Sequence, residues 1–351
     1  MSEVVAEVRN GVGFITLNRP RALNALSLAM IRALAEALQA WRDDPAIQAV
    51  AIRGTGKEAP FGAFCAGGDI RFFHQAVLAG DAQLEDFFTE EYRLNHLIHH
   101  YPKPYIAFMD GIVMGGGMGI TQGASLRIVT ERTKMAMPET TIGLFPDVGG
   151  GWFLGRCPGR VGEYLALTGD MIGGEGAIAA GLADVLLPSS ELPALWNALA
   201  ERGVAALPAK AHAAPFPQRE SIDRFFGLPD VTAIVQALEA DGGEWATRTA
   251  ATLRKRSPLL LAVTLEQLKR ARGMSLAADL RMERDLVHNC FHLRPGTASE
   301  TMEGIRALAV DKDHSPKWNP ARVEGVTPEM VDAYFASPWD AADHPLRELA
   351  A

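Results

Sequence analysis

Ala107–Arg156 contains AFMDGIVMGGGMGI at positions 107–120 and MPETTIGLFPDVGGG at positions 137–151. It reads as strand, turn, glycine-rich loop, helix and second loop. Two glycine triplets, Gly115-Gly116-Gly117 and Gly149-Gly150-Gly151, bracket two carboxylates, Glu139 and Asp147, set eight residues apart. A hydrophobic core has no need of that pattern. Acyl chemistry does, because it uses preorganised backbone N–H groups where an oxyanion develops and acids where protons move.

Upstream, Val4–Val8 and Val12–Leu17 alternate apolar and polar residues around Asn10-Gly11, which predicts a β-hairpin. Ser27 can cap a helix running through Asp43, with Leu28, Ile31, Leu34, Leu38 and Trp41 as its apolar stripe. Ile47–Ile52 reads as a buried strand. Phe61–Phe73 (FGAFCAGGDIRFF) holds a second glycine corner, Ala66-Gly67-Gly68, with Asp69 placed to begin a helix. Phe87–His99 reads as a helix, and Tyr105–Met109, Leu126–Thr130 and Lys134–Met137 as strands. Strands with helices between them predict an α/β fold built of repeated strand–strand–helix units.

The composition shifts near residue 187. Pro188–Pro193 is a break, and Leu207–Pro217, rich in alanine and proline, reads as a linker or draped segment. Beyond it Val231–Ala240, Glu244–Lys255, Leu259–Arg272, Leu276–Asn289 and Ala298–Leu308 read as helices. The expected division is residues 1–190, carrying the glycine corners and acids, and residues 191–351, a mainly helical region packed on them.

The chain has 351 residues, 48% of them apolar, enough for a substantial core. A net charge of −8 argues against non-specific nucleic-acid binding. Cys65, Cys157 and Cys290 have no paired spacing, which points to a reducing compartment and no zinc framework. Met1-Ser2-Glu3-Val4 lacks the regions of a signal peptide, and no apolar run reaches the roughly 18 residues of a membrane span. The expectation is a cytoplasmic protein with no membrane partner.

The two glycine corners can each supply one donor to an oxyanion hole, and glycine lets the backbone approach a ligand closely. Tight turns and close helix packing are the bland alternative. Glu139 and Asp147 lie among apolar residues, which raises a carboxyl pKa toward useful values. A strand-end acid and a helix cap are the structural alternatives for these two. Cys65 reads as a buried thiol rather than a nucleophile, and His96, His99 and His100 as helix-end residues rather than metal ligands. Gly149-Gly150-Gly151 lacks the Gly-Lys-Ser/Thr end of a phosphate-binding loop, and neither corner fits a dinucleotide fingerprint.

Four motifs in order carry a resemblance: Asn18-Arg19-Pro20 with Leu23-Asn24-Ala25-Leu26, then Phe64–Ile70, then Asp110-Gly111, then Gly115-Gly116-Gly117. Over roughly residues 4–190 they resemble the enoyl-CoA hydratase/isomerase (crotonase) superfamily. That resemblance implies a crotonase-like spiral. Hydratases of the superfamily carry a catalytic glutamate where this chain has Gly119, while their second glutamate matches Glu139. Met137–Thr140 and Gly143–Gly151 instead look like the 3-hydroxyisobutyryl-CoA hydrolase branch. Glu90-Glu91-Tyr92, Glu303–Ala307 and Asp311-Lys312-Asp313 with Pro316-Lys317-Trp318 extend that likeness over nearly the whole chain.

The resemblance implies an acyl-CoA thioester hydrolase converting 3-hydroxyisobutyryl-CoA and water to 3-hydroxyisobutyrate and CoA, a step of valine breakdown. Gly68 and Gly116 would form the oxyanion hole. Glu139 would be an acid–base or a nucleophilic carboxylate, and Asp147 would orient water and assist thiolate departure. Glu91 would contact the acyl group. Arg19, Leu23, Ala66, Gly67, Asp69 and Ile70 would border the CoA. No metal or other cofactor is implied, coenzyme A being part of the substrate, and a homo-oligomer is left open. Enoyl-CoA hydration or isomerisation is the nearest alternative, and a non-catalytic CoA-binding protein is the alternative from another class.

Overall fold

In a computed structural model the chain is described over residues 2–57, 60–211 and 214–350. Its contacts divide it into two compact units that interleave along the sequence. The first comprises Met1–Gly68, Glu90–Ala136 and Met171–Phe216, and the second comprises Asp69–Thr89, Met137–Asp170 and Pro217–Ala351.

The first unit holds every strand of the described residues. They are β1 (Val4–Arg9), β2 (Val12–Leu17), β3 (Ala49–Gly54), β4 (Tyr105–Met109), β5 (Ile112–Met114), β6 (Leu126–Val129), β7 (Lys134–Ala136) and β8 (Val185–Leu186). One sheet runs β1-β2-β3-β4-β6-β8, antiparallel at the β1–β2 hairpin and parallel elsewhere. A smaller parallel pair joins β5 to β7. The α/β class with strands and intervening helices is therefore the observed one.

The central strands read as near-continuous apolar runs because both of their faces are covered. On one face Phe14 of β2, Ala51 of β3, Phe108 of β4 and Ile128 of β6 pack with Trp196 and Leu199 of the helix Leu192–Arg202. The Phe14 and Phe108 rings meet Trp196 edge-on at 4.7 and 5.2 Å. β1 is the exposed edge, and its outward valines, Val5 and Val8, face solvent.

Several boundaries depart from the sequence reading. The strand expected at Ile47–Ile52 runs Ala49–Gly54, since Ile47 N donates to Asp44 O in a turn and pairing with β2 starts at Ala49. The helix expected from Phe87 begins at Gln83, whose N–H donates to the Asp81 carboxylate at 2.9 Å. The break at Pro188–Pro193 opens the helix Leu192–Arg202, with Pro193 in its first turn, where a missing N–H costs nothing. The linker expected at Leu207–Pro217 includes positions 212–213, which lie outside the described residues.

The second unit is helical, from Ile70–Ala79 to Pro328–Tyr334. Phe73, Phe87, Phe88 and Phe291 form one of its cores, with Phe73 at 4.8 Å from Phe87 and 4.9 Å from Phe88. The helix expected at Ala298–Leu308 is α-helical only over Glu300–Ile305 and widens to a π-turn at Arg306–Val310, closed by Asp311 N donating to Arg306 O. Arg306 pairs there with Glu303, Asp311 and Asp313. Among the described residues no helix is long and apolar enough to cross a membrane.

Two glycines bring the helix Glu300–Ile305 onto the turn Glu139–Ile142. A Cβ on Gly304 would overlap the Ile142 carbonyl, and one on Gly143 would overlap the Glu300 carbonyl. Gly304→Ala is expected to cost about 1–3 kcal/mol through this overlap. The measurement is the urea midpoint at unchanged slope, and a midpoint within about 0.2 M of wild type would show that the close approach is dispensable.

Candidate active site

Within the first unit the two glycine corners meet through the loop that follows Asn18-Arg19-Pro20. Leu23 and Asn24 both sit in the left-handed region, at φ 51° and 56°. Asn24 is fully buried and its amide donates to Thr55 O, Ala63 O and Phe64 O at 3.1, 2.9 and 3.1 Å. Its Oδ1 accepts from Arg19 N at 2.8 Å. Ala66 N donates to Leu23 O and Leu26 N to Gly67 O, so Ala66-Gly67-Gly68 is pinned to the Leu23–Leu26 segment. The Arg19 guanidinium donates to Ala25 O at 2.9 Å and pairs with Glu3 at 3.2 Å.

Cys65 N donates to Ile112 O and Met114 N to Cys65 O, which carries this corner to the start of the second one. Gly67 has φ 100°, and a Cβ there would lie 3.7 Å from Gly116 N. Gly116 opens the helix Gly116–Gln122. Its N–H therefore has no intrahelical acceptor. A Cβ on Gly116 would come within 2.5 Å of the Glu91 Oε1, so glycine is what leaves the buried Glu91 carboxyl its place beside this corner. Gly67, Gly116 and Glu91 are thus neighbours inside one unit. Gly119 is buried on the same short helix. Asp110 serves the framework instead, accepting from Thr130 Oγ1 at 2.6 Å and pairing with Arg132.

In the second unit Asp69 caps the helix Ile70–Ala79, accepting from Phe72 N at 3.4 Å. Glu139 begins the 3-10 turn Glu139–Ile142 and is 7% exposed, while Asp147 is 6% exposed. Burial first, and the Asp147 charge second, push the Glu139 carboxyl well above the ordinary glutamate value. Its Oε2 has no hydrogen-bond partner among the described residues. Asp147 is not a helix cap: Gly149 holds the cap position of Gly150–Leu154, and Asp147 O accepts from Gly150 N at 2.7 Å.

A family model described as enoyl-CoA hydratase/isomerase matches residues 12–335. The chain belongs to the enoyl-CoA hydratase/isomerase family. It is 43% identical over 341 residues to the "3-hydroxyisobutyryl-CoA hydrolase, mitochondrial" of Xenopus tropicalis, covering 93% of this chain and 86% of that protein. The protein of the same name from Gallus gallus is 40% identical over 355 residues, covering 95% and 89%. A crystal structure described as a carnitinyl-CoA dehydratase from Mycobacterium thermoresistibile superposes with a TM-score of 0.89 at 40% identity, covering 99% of both chains.

In this hydratase/isomerase family member all three cysteines are buried. Cys65 is fully buried, and burial pushes it up to about 12, so it is no nucleophile at neutral pH. The His100 ring lies against His96 at 4.1 Å and meets His99 edge-on at 5.1 Å at a helix end. The sequence reading missed Glu85, His288 and His292, whose ligating atoms lie within 4.8 Å of one another. Glu85 already pairs with the buried Arg284, which meets the charge that a cation would need. That group anchors the helix Leu276–His292 on Glu85.

The Glu139 carboxyl gives a pH signature in stability. A folded value raised above 4.5 stabilises fully below that pH, and the stabilisation is lost as pH rises through the folded value. Glu139→Gln fixes the neutral form, so the variant is expected to melt above wild type at pH 8, by about 1–2 °C for each kcal/mol relieved, with the gap closing toward pH 5. Thermal melts across that range decide it, and a gap that widens as pH falls would mean that the carboxyl is held as an anion.

Proposed function

We infer that this chain hydrolyses an acyl-CoA thioester, 3-hydroxyisobutyryl-CoA, releasing 3-hydroxyisobutyrate and CoA. The observation that carries the reading is the glycine at position 119, where addition of water to a double bond would call on an acid. The relatives named for this hydrolase, similar over nearly the whole chain, support the substrate and the place in valine breakdown.

In this reading the N–H groups of Gly68 and Gly116 hold the thioester oxygen as it becomes an oxyanion, each worth about 3–4 kcal/mol to the transition state. Water adds to the carbonyl carbon, a C–O bond forms and the C–S bond breaks. Asp147 orients that water and takes its proton. Glu139, its carboxyl raised by burial and by Asp147, delivers a proton to the departing thiolate. A raised pKa speaks for this proton-carrying role over a nucleophilic carboxylate. Glu91, buried beside Gly116, contacts the acyl hydroxyl. Arg19, Leu23, Ala66, Gly67, Asp69 and Ile70 border the CoA moiety. Water, the oxyanion donors and the two acids balance the reaction without another cofactor. A cytoplasmic location stays part of the reading on the three buried cysteines, although the vertebrate relatives are themselves named mitochondrial.

A second reading, hydration or dehydration of an acyl-CoA, is favoured by the description of the dehydratase structure. Two assays separate them. Free thiol released from 3-hydroxyisobutyryl-CoA, with kcat/KM well above that for 3-hydroxypropionyl-CoA, is expected for the hydrolase. Loss of enoyl absorbance from crotonyl-CoA without free thiol would support the second reading instead. Asp147→Asn is expected to lower kcat at least about 100-fold, and normal turnover in that variant would remove Asp147 from the mechanism.

A further inference from the structure

The loop that carries Asp147 is held by side chains more than a hundred residues away. Glu283 Oε2 accepts from Gly149 N at 2.7 Å, and its Oε1 accepts from Gly151 N at 2.9 Å. Gln267 Nε2 donates to the same Oε1 at 3.0 Å and to Pro146 O at 2.7 Å. Asp279 Oδ2 accepts from Trp152 N at 2.9 Å. Gln267, Asp279 and Glu283 are each 0% exposed. None of them has a part in the chemistry assigned above.

Packing alone would not place two acids there. A carboxyl taken out of water is costly unless donors meet it, and apolar side chains on the same helix face would pack at less cost. Backbone donors Gly149, Gly151 and Trp152, with the Gln267 amide, meet these acids. The loop also needs outside support. Val148, β-branched, sits at φ 55° and Gly149 at φ 85°. A β-branched residue in the left-handed region costs on the order of 1–3 kcal/mol and persists only where its surroundings determine it. Close packing adds to the restraint: a Cβ on Gly151 would lie 2.5 Å from Asp279 Oδ1 and 3.0 Å from Ala271 Cβ.

We propose that Glu283 is a positioning residue for Asp147: by taking the N–H groups of Gly149 and Gly151 it fixes the backbone turn that carries the acid, with Gln267 and Asp279 completing the clamp. The role assumes that Asp147 acts in thioester hydrolysis. Two carboxylate oxygens suit the two N–H groups. An amide in the same place would turn its NH2 toward one of them. Burial pushes Asp279 up to about 7, and burial together with the Asp279 charge pushes Glu283 up.

The test is a double-mutant cycle of Glu283→Gln with Asp147→Asn, read by CoA release, together with hydrogen exchange of the loop amides. Glu283→Gln is expected to lower kcat about 10–100-fold, as misplacement of a catalytic group does, with KM within about threefold. In the Asp147→Asn background it should change kcat less than about twofold, because its effect passes through Asp147. The amides of residues 148–152 should exchange at least about tenfold faster than in wild type. An unchanged kcat, or an equal loss in both backgrounds, overturns the proposal. Should Glu283→Gln not fold, Gln267→Met removes the donor shared by Pro146 O and Glu283, and a kcat loss of about 3–10-fold with the same non-additivity is expected. If wild type releases no CoA, the hydrolase reading fails, while the exchange rates in wild type and Glu283→Gln still decide whether the clamp exists.

Discussion

A carboxyl removed from water must find donors or keep its proton, and the second unit buries Glu139, Asp147, Asp279 and Glu283. Its local architecture follows from how each is answered. Glu283 and Asp279 are met by backbone N–H groups of the Gly149–Trp152 segment, so their burial orders that segment. Glu139 is met by less, and burial beside Asp147 raises its carboxyl well above the ordinary glutamate value. The structural carboxyls that spend their oxygens on the backbone thus share a unit with Glu139 and Asp147, which lie more than a hundred residues earlier in the chain.

The first unit meets a related constraint with neutral groups. Its glycine corners are loops, and loops carry backbone polar groups that a parallel sheet cannot satisfy. Asn24 resolves this by standing in for a strand: one buried amide donates to three carbonyls while its oxygen takes Arg19 N. With the 63–67 segment tied down by the Asn24 amide, Gly67 lies close to Gly116.

The parts legible in the sequence were those with short-range signatures. The hairpin around Asn10-Gly11, the Ser27 cap, the two glycine corners and the acid pair announce themselves through turn chemistry, spacing and glycine content. β5 was not legible, because three residues read as part of a glycine-rich loop until β7 is there to pair with them. The clamp was not legible either. Asp279 and Glu283 fall at helical spacing among Leu276, Leu280 and Val287, and acids set within an apolar stripe were the signal available. That stripe cannot say which loop the acids meet, because their partners lie more than a hundred residues earlier. The π-turn at Arg306–Val310 likewise depends on Arg306 collecting three carboxylates, which no local pattern encodes.

The distance in sequence between Gly149 and Glu283 also has a meaning in time. The chain is made from its N-terminus, and 134 residues separate the amide from the carboxylate that receives it. At the usual pace of synthesis of about 5–20 residues per second, the loop emerges about 7–27 seconds before its acceptor is built. During that interval Val148 has no reason to occupy the left-handed region. The acid-bearing loop is therefore among the last parts of the molecule to acquire its final form, and ribosome-bound chains ending before the helix Leu276–His292 would carry the residues of the site without its shape.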